Sequence, residues 1–224
     1  MRKFIMFDLE QSLDTSITHP VIAPAPRKAS PFFWTCKRAF DIGMSLLLFP
    51  IFAIAFLSLL IFNPLFNRGS LFFIQDRMGQ NCSMFRLVKF RSMHPIDKIT
   101  RGPNDPLETD RITAMGRFLR KTRIDELPQI LNVLRGDMSL IGPRPDYYEH
   151  AKTHIESIPG YCARHAVRPG ISGLAQTKLG YSVSEDETTR KVQVDLEYIA
   201  KVSFRMEAKL VWETIKTVVT RAGA

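Results

Sequence analysis

The pattern of hydrophobic and polar positions divides the chain into three parts. Residues 1–36 mix both charges and contain four prolines, a composition that resists helix formation, and we predict a flexible tail there. Residues 42–61 form a run of 20 positions without a charged side chain. From residue 67 onward the chain is polar and basic. We therefore expect a tail over 1–36, a membrane-inserted helix over 37–66 and a globular domain over 67–224.

The uncharged run meets the length of about 20 apolar residues that crossing a bilayer requires. It begins too far from the N-terminus to be a signal peptide. A buried core helix is the alternative interpretation, but the rest of the chain has too little apolar sequence to enclose a helix that is hydrophobic on every side. The run therefore predicts contact with a membrane.

Two features favour a re-entrant helix, which enters the membrane and returns to the same face. Pro50 lies near the middle of the run, where it removes a backbone hydrogen bond and predicts a bend. Basic side chains flank the run on both sides, and such flanks prefer the cytoplasmic face. They are Arg27, Lys28, Lys37 and Arg38 before the run and Arg68, Arg77 and Arg86 after it. A simple spanning helix stays open as the alternative, because spanning helices also tolerate proline.

A β-hairpin is predicted directly after the membrane helix. Residues 71–75 and 84–90 are rich in apolar and aromatic side chains, and a glycine with polar neighbours lies between them. The second strand brings Lys89 and Arg91 to one end of the hairpin. As an alternative, these two side chains are solvated surface charges, which is the usual state of Lys and Arg.

The densest pattern of candidate chemistry lies between residues 116 and 145. Hydrophobic residues recur there at a helical spacing, at Leu127, Ile130, Leu131 and Leu134. This spacing predicts a helix with one buried face, with Pro128 in its first turn and Gly136 just past its end. Asp125 and Glu126 then lie at the N-terminal end of the helix. Four basic residues precede them: Arg117, Arg120, Lys121 and Arg123.

This placement predicts an ionised Asp125, because a helix N-terminus and nearby basic residues both favour negative charge. An ionised carboxylate acts as a nucleophile or as a ligand of Mg²⁺. A simple helix cap is the alternative for Asp125, although capping does not explain the adjacent Glu126 or the basic cluster. The catalytic interpretation requires the Asp125 side chain to lie near the lipid boundary, beside a hollow that fits an anion.

Two stiff turns rich in proline and glycine each hold an arginine. The first is Gly142-Pro143-Arg144-Pro145, and the second begins at Arg168-Pro169-Gly170. Arginines fixed in this way suit bidentate contacts with phosphate. Ordinary structural turns are the alternative.

Composition narrows the partners. A formal net charge of +9 predicts an anionic partner, which leaves nucleic acid, an acidic membrane surface and a phosphorylated substrate as candidates. The cysteines, Cys36, Cys82 and Cys162, are odd in number and far apart in the chain, which favours a reducing compartment over a disulfide framework. The standard phosphate-binding glycine loops are absent from the sequence.

Seven short motifs follow one another along the chain, at residues 37–41, 72–79, 89–93, 125–129, 136–139, 142–145 and 168–170. In this order, and together with the helix that contains Pro50, they resemble the bacterial sugar transferase family. These are the monotopic polyprenol-phosphate phosphoglycosyl transferases that begin exopolysaccharide, capsule and O-antigen assembly. The chain departs from the family at Phe49, because members commonly place a serine before the helix-bending proline. This departure bears on the re-entrant helix and not on the chemistry.

The resemblance implies a mainly helical α+β fold with a re-entrant membrane helix bent at Pro50. A helical domain with a small β-hairpin then lies on the cytoplasmic face of the bacterial inner membrane. Asp125 and Glu126 form a catalytic dyad with Mg²⁺. Asp125 attacks the β-phosphate of a UDP-sugar and releases UMP, and polyprenol phosphate then takes the sugar phosphate from the aspartate. The candidate phosphate-binding residues are Lys89, Arg91, Arg120, Arg144 and Arg168.

Two other functions stay open. A membrane-anchored basic module that binds nucleic acid or acidic lipid explains the charge, but the carboxylate pair would repel phosphate unless a metal intervened, so nucleic acid is not expected as a partner. A glycosyl transferase that releases UDP is the second alternative. The sequence does not determine which sugar is transferred. It also leaves the oligomeric state open, and a homo-oligomer is one of the alternatives.

The last helical pattern places Phe204, Ala208, Val211 and Ile215 on one face beside Trp212. Lys209 and Lys216 lie nearby, a combination that is typical of helices on a membrane surface. Packing of this face against the protein core is the equal alternative.

Overall fold

The computed structural model describes residues 29–67, 69–96, 102, 105, 108–179 and 185–220, and the predicted tail up to residue 28 lies outside this range. The helices are α1 (Pro31–Phe66), α2 (Ala114–Lys121), α3 (Gln129–Arg135), α4 (Tyr148–Ser157), α5 (Leu174–Leu179), α6 (Glu185–Lys201) and α7 (Phe204–Val219). The strands are β1 (Phe72–Met78), β2 (Met84–Phe90), β3 (Ser139–Ile141) and β4 (Gly170–Ser172). Short 3-10 helices lie at Gln80–Cys82, Thr109–Arg111, Ile124–Glu126 and Tyr161–Ala166. The predicted class, mainly helical α+β with a small hairpin and a long apolar N-terminal helix, is confirmed.

Helix α1 begins at Pro31, earlier than the predicted start at Lys37. The side-chain oxygen of Ser30 accepts a hydrogen bond from the backbone N–H of Phe33 at 3.2 Å, and Pro31 occupies the first turn. Both residue types are favoured there, because serine satisfies a free N–H and proline has none to satisfy. The helix runs without interruption through Pro50, and the predicted bend there stays a prediction.

One stripe of α1 packs against the rest of the protein along almost the whole helix. Its buried residues recur at intervals of four or seven, at Phe33, Lys37, Asp41, Ser45, Phe52, Leu59 and Asn63. The outer face exposes large apolar side chains such as Leu47, Ile54 and Ile61. Among the described residues, α1 is the one helix long and apolar enough to cross a membrane.

Polar contacts hold the N-terminal half of α1 to the domain. The ammonium group of Lys37 donates to the Glu207 carboxylate at 2.5 Å and to the carbonyl of Ile141 at 3.0 Å. Asp41 accepts a hydrogen bond from the backbone N–H of Leu140 at 3.1 Å. These partners are buried, so the contacts fix both the depth and the rotation of α1 on the domain.

The predicted hairpin is confirmed, with a first strand that runs three residues further than expected. Strands β1 and β2 pair antiparallel, with Phe72 opposite Phe90 and Met78 opposite Met84. The ring of Phe90 stacks on Phe72 with the ring centroids 5.4 Å apart, and on Phe52 of α1 at 5.9 Å. Aromatic stacking therefore joins the hairpin to the middle of the apolar helix.

Helix α3 begins later than predicted. Its α-helical residues start at Gln129, and Ile124–Glu126 forms a separate 3-10 helix. Asp125 and Glu126 therefore precede α3, and the prediction that they open it is wrong. Gly136 ends α3 with a φ of 96°, as predicted.

Helix α3 is also buried on more than one side. Ile130 packs in the cluster that contains Phe52 of α1, as the spacing predicts. The side chain of Asn132 is buried as well, accepting from the backbone N–H of Val88 at 3.1 Å and donating to the carbonyl of Arg86 at 2.7 Å. A polar side chain thus joins α3 to β2, which hydrophobic periodicity alone does not predict.

The two proline–glycine turns meet across a parallel strand pair that the sequence analysis missed. Strand β3 pairs with β4, and the backbone N–H of Gly142 donates to the carbonyl of Ser172 at 2.9 Å. The N–H of Gly170 donates to the carbonyl of Pro143 at 2.9 Å. A Cβ on Gly170 would lie 2.1 Å from the Gly142 nitrogen, so this close approach of two backbones requires glycine.

Helix α7 divides the apolar face that its sequence predicts. Leu210 is buried in the core and Val211 is half-buried against it. Phe204, Trp212 and Ile215 lie on the solvent side, with exposed fractions of 53%, 66% and 50%. One part of the helix therefore packs on the core and another presents apolar side chains outward.

We predict that Gly116→Ala lowers the stability of the fold by about 2 kcal/mol, because an added Cβ would lie 1.9 Å from the backbone oxygen of Ser92 and α2 would have to move away. Gly43→Ala is the matched control, since nothing lies within 4 Å of a Cβ there. Thermal unfolding in detergent, followed by circular dichroism, measures both variants. Equal melting temperatures for the two would contradict the tight contact between α2 and Ser92.

Candidate active site

The two adjacent carboxylates lie in a tight, covered turn. Asp125 and Glu126 belong to the 3-10 helix between α2 and α3, with exposed fractions of 7% and 8%. The preceding residue, Arg123 at the start of this turn, has a φ of 58°, in the left-handed region that non-glycine residues rarely adopt.

Glu126 is held by three cations, two from other parts of the chain and one from its own turn. Its Oε1 accepts from Lys89 of β2 at 3.0 Å and from Arg144 at 2.5 Å. Its Oε2 lies 3.9 Å from the guanidinium of Arg123. Burial alone would raise the pKa of Glu126, but the charges of Arg144 and Lys89 outweigh burial and hold the pKa well below its usual range. Glu126 is therefore ionised at all physiological pH values.

Asp125 differs from its neighbour in both contacts and titration. Its Oδ1 is buried and has no hydrogen-bond partner among the described residues. Burial raises the pKa of Asp125 to about 6; the charge of Lys89 opposes this rise, and the adjacent Glu126 carboxylate adds to it. Desolvation therefore affects Asp125 more than do the charges of the basic cluster, on which the expectation of an ionised carboxylate rested. At pH 7 roughly nine molecules in ten still carry the carboxylate, since one pH unit is a factor of about ten.

Lys89 and Arg77 surround the dyad from the hairpin. Burial is the main cause that lowers the pKa of Lys89, and the charge of Glu126 opposes it. Burial and the nearby charge of Arg144 lower the pKa of Arg77 to about 10. From the sequence, Arg77 is predicted only as a basic flank of the apolar run. Arg77 and Gln75 lie two positions apart on β1, on the same face, and this strand ends beside the Arg144 turn. Its guanidinium donates to the carbonyl of Pro145 at 3.0 Å.

A buried ionic network fixes the turn that carries Arg144. The next acidic residue in the chain, Asp146, accepts hydrogen bonds from the Tyr161 hydroxyl at 2.7 Å, from Lys191 at 2.6 Å and from Arg164. Burial alone would raise the pKa of Asp146, but the charges of Lys191 and Arg164 outweigh it and hold the pKa well below its usual range.

Arg164 links this network directly to the dyad. Its side chain is fully buried, and its guanidinium contacts Asp195 of α6 at 2.6 Å as well as Asp146. It also donates to the backbone carbonyl of Arg144 at 2.9 Å. The side chain of Arg144 in turn contacts Glu126, so a chain of ion pairs joined by one backbone hydrogen bond runs from α6 to Glu126. No sequence motif indicates a role for Asp146, Arg164 or Asp195 beyond their charge.

The five predicted phosphate-binding residues separate into two groups. Lys89 and Arg144 contact Glu126 directly. The charge of Arg120, at the end of α2, lowers the pKa of Asp125, so Arg120 is also near the pair. These three residues form the cationic side of the candidate site.

Arg91 and Arg168 do not join that group. The side chain of Arg91 is buried and donates to backbone carbonyls, among them those of Ser70 at 2.6 Å and Asn67, so it closes the exit of α1. Arg168 donates to the carbonyl of Gly136 at 2.9 Å. Gly136 follows α3 whereas Glu126 precedes it, and ten helical residues span about 15 Å. Both residues were assigned to phosphate from turn and strand patterns, which do not specify direction.

The dyad is covered in this structure. A cavity of about 270 Å³ lies instead between α1 and the Arg168 turn, lined by Lys37, Asp41, Arg168 and Tyr198 among others. An accessible Asp125 is contradicted by its exposed fraction of 7%, and the anion-sized hollow beside it stays a prediction. Substrate access to Asp125 requires the residues that cover it to move.

The described residues contain no group of three or more metal-ligating His, Cys, Asp or Glu side chains. The orphaned Oδ1 of Asp125 is a suitable ligand for a hard cation, whereas Oε1 of Glu126 is already engaged by Lys89 and Arg144. Such a site fits an ion that takes one or two carboxylates and obtains its other ligands from water and substrate phosphates. Mg²⁺ binds in this way.

A long apolar helix thus packs on a domain that holds a carboxylate pair among buried cations. A sequence profile of the bacterial sugar transferase family matches residues 32–221. The chain belongs to the bacterial sugar transferase family.

Several characterised relatives are similar over most of this chain. It is 40% identical over 196 residues to the UDP-N-acetylgalactosamine-undecaprenyl-phosphate N-acetylgalactosaminephosphotransferase of Aeromonas hydrophila, covering 87% of this chain and 46% of the relative. It is 36% identical over 190 residues to a UDP-glucose:undecaprenyl-phosphate glucose-1-phosphate transferase of Caulobacter vibrioides, covering 84% and 71%. It is 38% identical over 197 residues to the exopolysaccharide production protein PSS of Rhizobium leguminosarum bv. phaseoli, covering 83% and 96%. The chain thus spans less than half of the Aeromonas relative and nearly all of the Rhizobium relative.

Proposed function

We propose that this protein transfers a sugar 1-phosphate from a UDP-sugar to polyprenol phosphate and releases UMP. The observation that carries the proposal is the contrast within the dyad. Glu126 is fixed and ionised by three cations, while Asp125 keeps a buried oxygen without a partner and a pKa near 6. A carboxylate in that state is a poor structural element and a suitable nucleophile. The names of the relatives from Aeromonas and Caulobacter describe the same transfer to undecaprenyl phosphate.

The proposed reaction has two displacements at phosphorus. An oxygen of Asp125 forms a bond to the β-phosphorus, and the bond from that phosphorus to the bridging oxygen breaks, so UMP leaves with the electron pair. A phosphate oxygen of the polyprenol phosphate then attacks the same phosphorus and displaces the aspartate. The products are polyprenol diphosphate sugar and a regenerated Asp125 carboxylate.

The surrounding cations have separate roles in this scheme. Lys89 and Arg144 keep Glu126 ionised and adjacent to Asp125, and their positive charges would stabilise the negative charge that develops on the phosphate. Arg120 adds positive charge near Asp125. When Mg²⁺ is bound, Asp125 and Glu126 are the residues that would hold it, and it would neutralise the diphosphate of the substrate.

Substrate binding must uncover Asp125, because its side chain is 7% exposed. We infer that a UDP-sugar enters by displacing side chains around the turn at Arg123. Arg123 has a left-handed φ of 58°, a conformation that is typical of functional sites and switch regions when a non-glycine residue adopts it.

The packing of α1 supports a re-entrant, monotopic helix. A bilayer has a hydrocarbon core of about 30 Å, the length of about 20 helical residues. Residues of α1 that pack on the domain recur from Phe33 to Asn63 with no gap of that length between them. A perpendicular span would therefore draw the charged domain into the hydrocarbon, whereas a helix that enters and leaves by one face keeps the domain at the surface.

Two neighbouring surfaces would reach the same membrane. The outer face of α1 carries exposed apolar residues over most of its length. The solvent side of α7 presents Phe204, Trp212 and Ile215 beside Lys209 and Lys216, a pairing that is favoured at the interface between headgroups and acyl chains. The stacking of Phe52 of α1 on Phe90, next to Lys89, joins the apolar helix to the strand that carries Lys89 and so supports a site close to the lipid.

The nucleotide that is released tests the proposal. We expect membranes containing the protein, supplied with polyprenol phosphate and Mg²⁺, to release UMP from one member of a panel that includes UDP-N-acetylgalactosamine and UDP-glucose. Chromatography of the nucleotide products measures this. Release of UDP would show a glycosyl transferase, and the absence of any nucleotide release would support a binding module.

Asp125→Asn is expected to lower UMP release at least about 10³-fold while the protein still folds and partitions into membrane, because the amide is not a nucleophile. Asp186→Asn, at an exposed position near the start of α6, is the matched control and keeps activity. Substantial turnover by Asp125→Asn would remove Asp125 as the nucleophile.

Turnover is expected to fall as the pH is lowered through about 6, because protonation of Asp125 removes the attacking carboxylate. Arg144→Gln removes a charge that lowers the pKa of Asp125, so this variant should lose turnover already at higher pH. Arg168→Gln, at the far end of α3, should leave the position of the acidic limb unchanged. A pH–rate profile of all three proteins measures the effect, and an unmoved limb in Arg144→Gln would contradict the assigned electrostatics.

The re-entrant topology is tested by labelling in intact cells. In a background without native cysteines, Ser16→Cys and Asp186→Cys should both resist a membrane-impermeant maleimide added outside. Both should react once the membrane is permeabilised, which serves as the control. External labelling at residue 16 alone would show a spanning helix.

A further inference from the structure

Two cysteines that are 80 positions apart in the chain meet on the surface of the domain. The sulfur atoms of Cys82 and Cys162 are 3.5 Å apart. Cys162 is exposed and Cys82 is partly exposed, so solvent reaches the pair. The remaining cysteine, Cys36, lies in α1. The spacing in the sequence gave no indication of this contact.

The turn that carries Cys82 and the turn that carries Cys162 are hydrogen-bonded to each other. The turn around Cys82 is closed by a hydrogen bond from the N–H of Gly79 to the carbonyl of Ser83 at 2.6 Å. Beside it, the side chain of Gln80 donates to the carbonyl of Ala166 at 3.1 Å, across to the Tyr161–Ala166 turn. A disulfide requires the sulfurs to approach to about 2.05 Å, which is a shift of the size that side-chain rotation provides.

We propose that Cys82 and Cys162 form a reversible disulfide, a modification site that links the hairpin turn to the Tyr161–Ala166 turn. With hydrogen peroxide as the oxidant, the Cys162 thiolate attacks one peroxide oxygen, which gives a sulfenic acid and water. The Cys82 thiol then attacks the Cys162 sulfur, and a second water leaves. Two thiols lose two hydrogens and two electrons in total, and a dithiol reductant restores them.

The surroundings distinguish the roles of the two thiols. Burial and the contact with Cys162 raise the pKa of Cys82 to about 12, so Cys82 stays protonated and is a weak first nucleophile. Cys162 is the more exposed of the two and meets the oxidant first. The pair is therefore reduced at rest in a reducing compartment and closes only when an oxidant is present.

The loop that this bond would close contains the whole candidate active site. Residues 82–162 include Lys89, Asp125, Glu126 and Arg144. Arg164, which holds the Arg144 carbonyl, lies on the same 3-10 helix as Cys162. Closing a long loop stabilises a fold mainly by restricting the unfolded chain. Oxidation should thus make the domain harder to unfold without touching the dyad.

The test uses the full-length protein in detergent, treated with hydrogen peroxide and then alkylated. Mass spectrometry should find one intramolecular link between the peptides of Cys82 and Cys162, with a loss of two hydrogens that dithiothreitol reverses. The melting temperature of the oxidised protein should rise by about 5 °C or more. Cys36→Ser should behave like the unmodified sequence, whereas Cys162→Ser, at the exposed position, should show neither the link nor the rise.

Several results would overturn the proposal. Links that involve Cys36, links between two chains, or oxidation of Cys162 to a sulfinic acid without a partner would each show that the two sulfurs do not react together. A rise in melting temperature that persists in Cys162→Ser would assign the stabilisation to another cause. The readouts do not depend on enzymatic activity, so they are independent of the proposed transfer reaction.

Discussion

The ion contacts of Glu126 are the interaction on which the site depends. A buried carboxylate without partners would be costly, and removing one partner of such a pair typically destabilises a protein by about 3 to 5 kcal/mol. Lys89 and Arg144 meet on a single oxygen of Glu126, and each is itself buried enough to need that charge. The contact therefore holds three segments together. In the proposed mechanism, Glu126 binds the surrounding cations and the neighbouring Asp125 is the nucleophile.

Each segment that meets at Glu126 is fixed by a different part of the fold. The position of Lys89 is set by the hairpin, whose Phe90 stacks on the apolar helix. The position of Arg144 is set by a turn that is held by the Asp146–Arg164 network and by the close backbone approach of Gly142 and Gly170. Contacts from helix α1, the hairpin and helix α6 thus lead to the carboxylate pair.

Patterns in the sequence predict the secondary-structure elements better than the directions in which individual side chains point. The hairpin and the end of α3 at Gly136 follow from patterns of residue type, and two of the predicted phosphate-binding residues, Lys89 and Arg144, contact Glu126. The burial of Asp125, and hence the cause of its shifted pKa, depends on how α2 and α3 pack and has no local signal. Arg91 and Arg168 stand in motifs as suggestive as that of Arg144, yet their side chains turn toward backbone carbonyls. The pairing of β3 with β4 was not predicted, because a strand of three residues is too short to show a hydrophobic periodicity.

The polar stripe of α1 has a consequence for attempts to obtain the domain in water-soluble form. Deleting the helix would remove Lys37, which donates to the carboxylate of Glu207, and Asp41, which accepts from the backbone N–H of Leu140. It would also uncover the aromatic rings of the hairpin that Phe52 covers. A helix of equal hydrophobicity but unrelated sequence would provide an apolar segment without restoring the hydrogen bonds of Lys37 and Asp41. The helix is in this sense an interior part of the enzyme as much as its tether, and expression designs should treat it as indispensable.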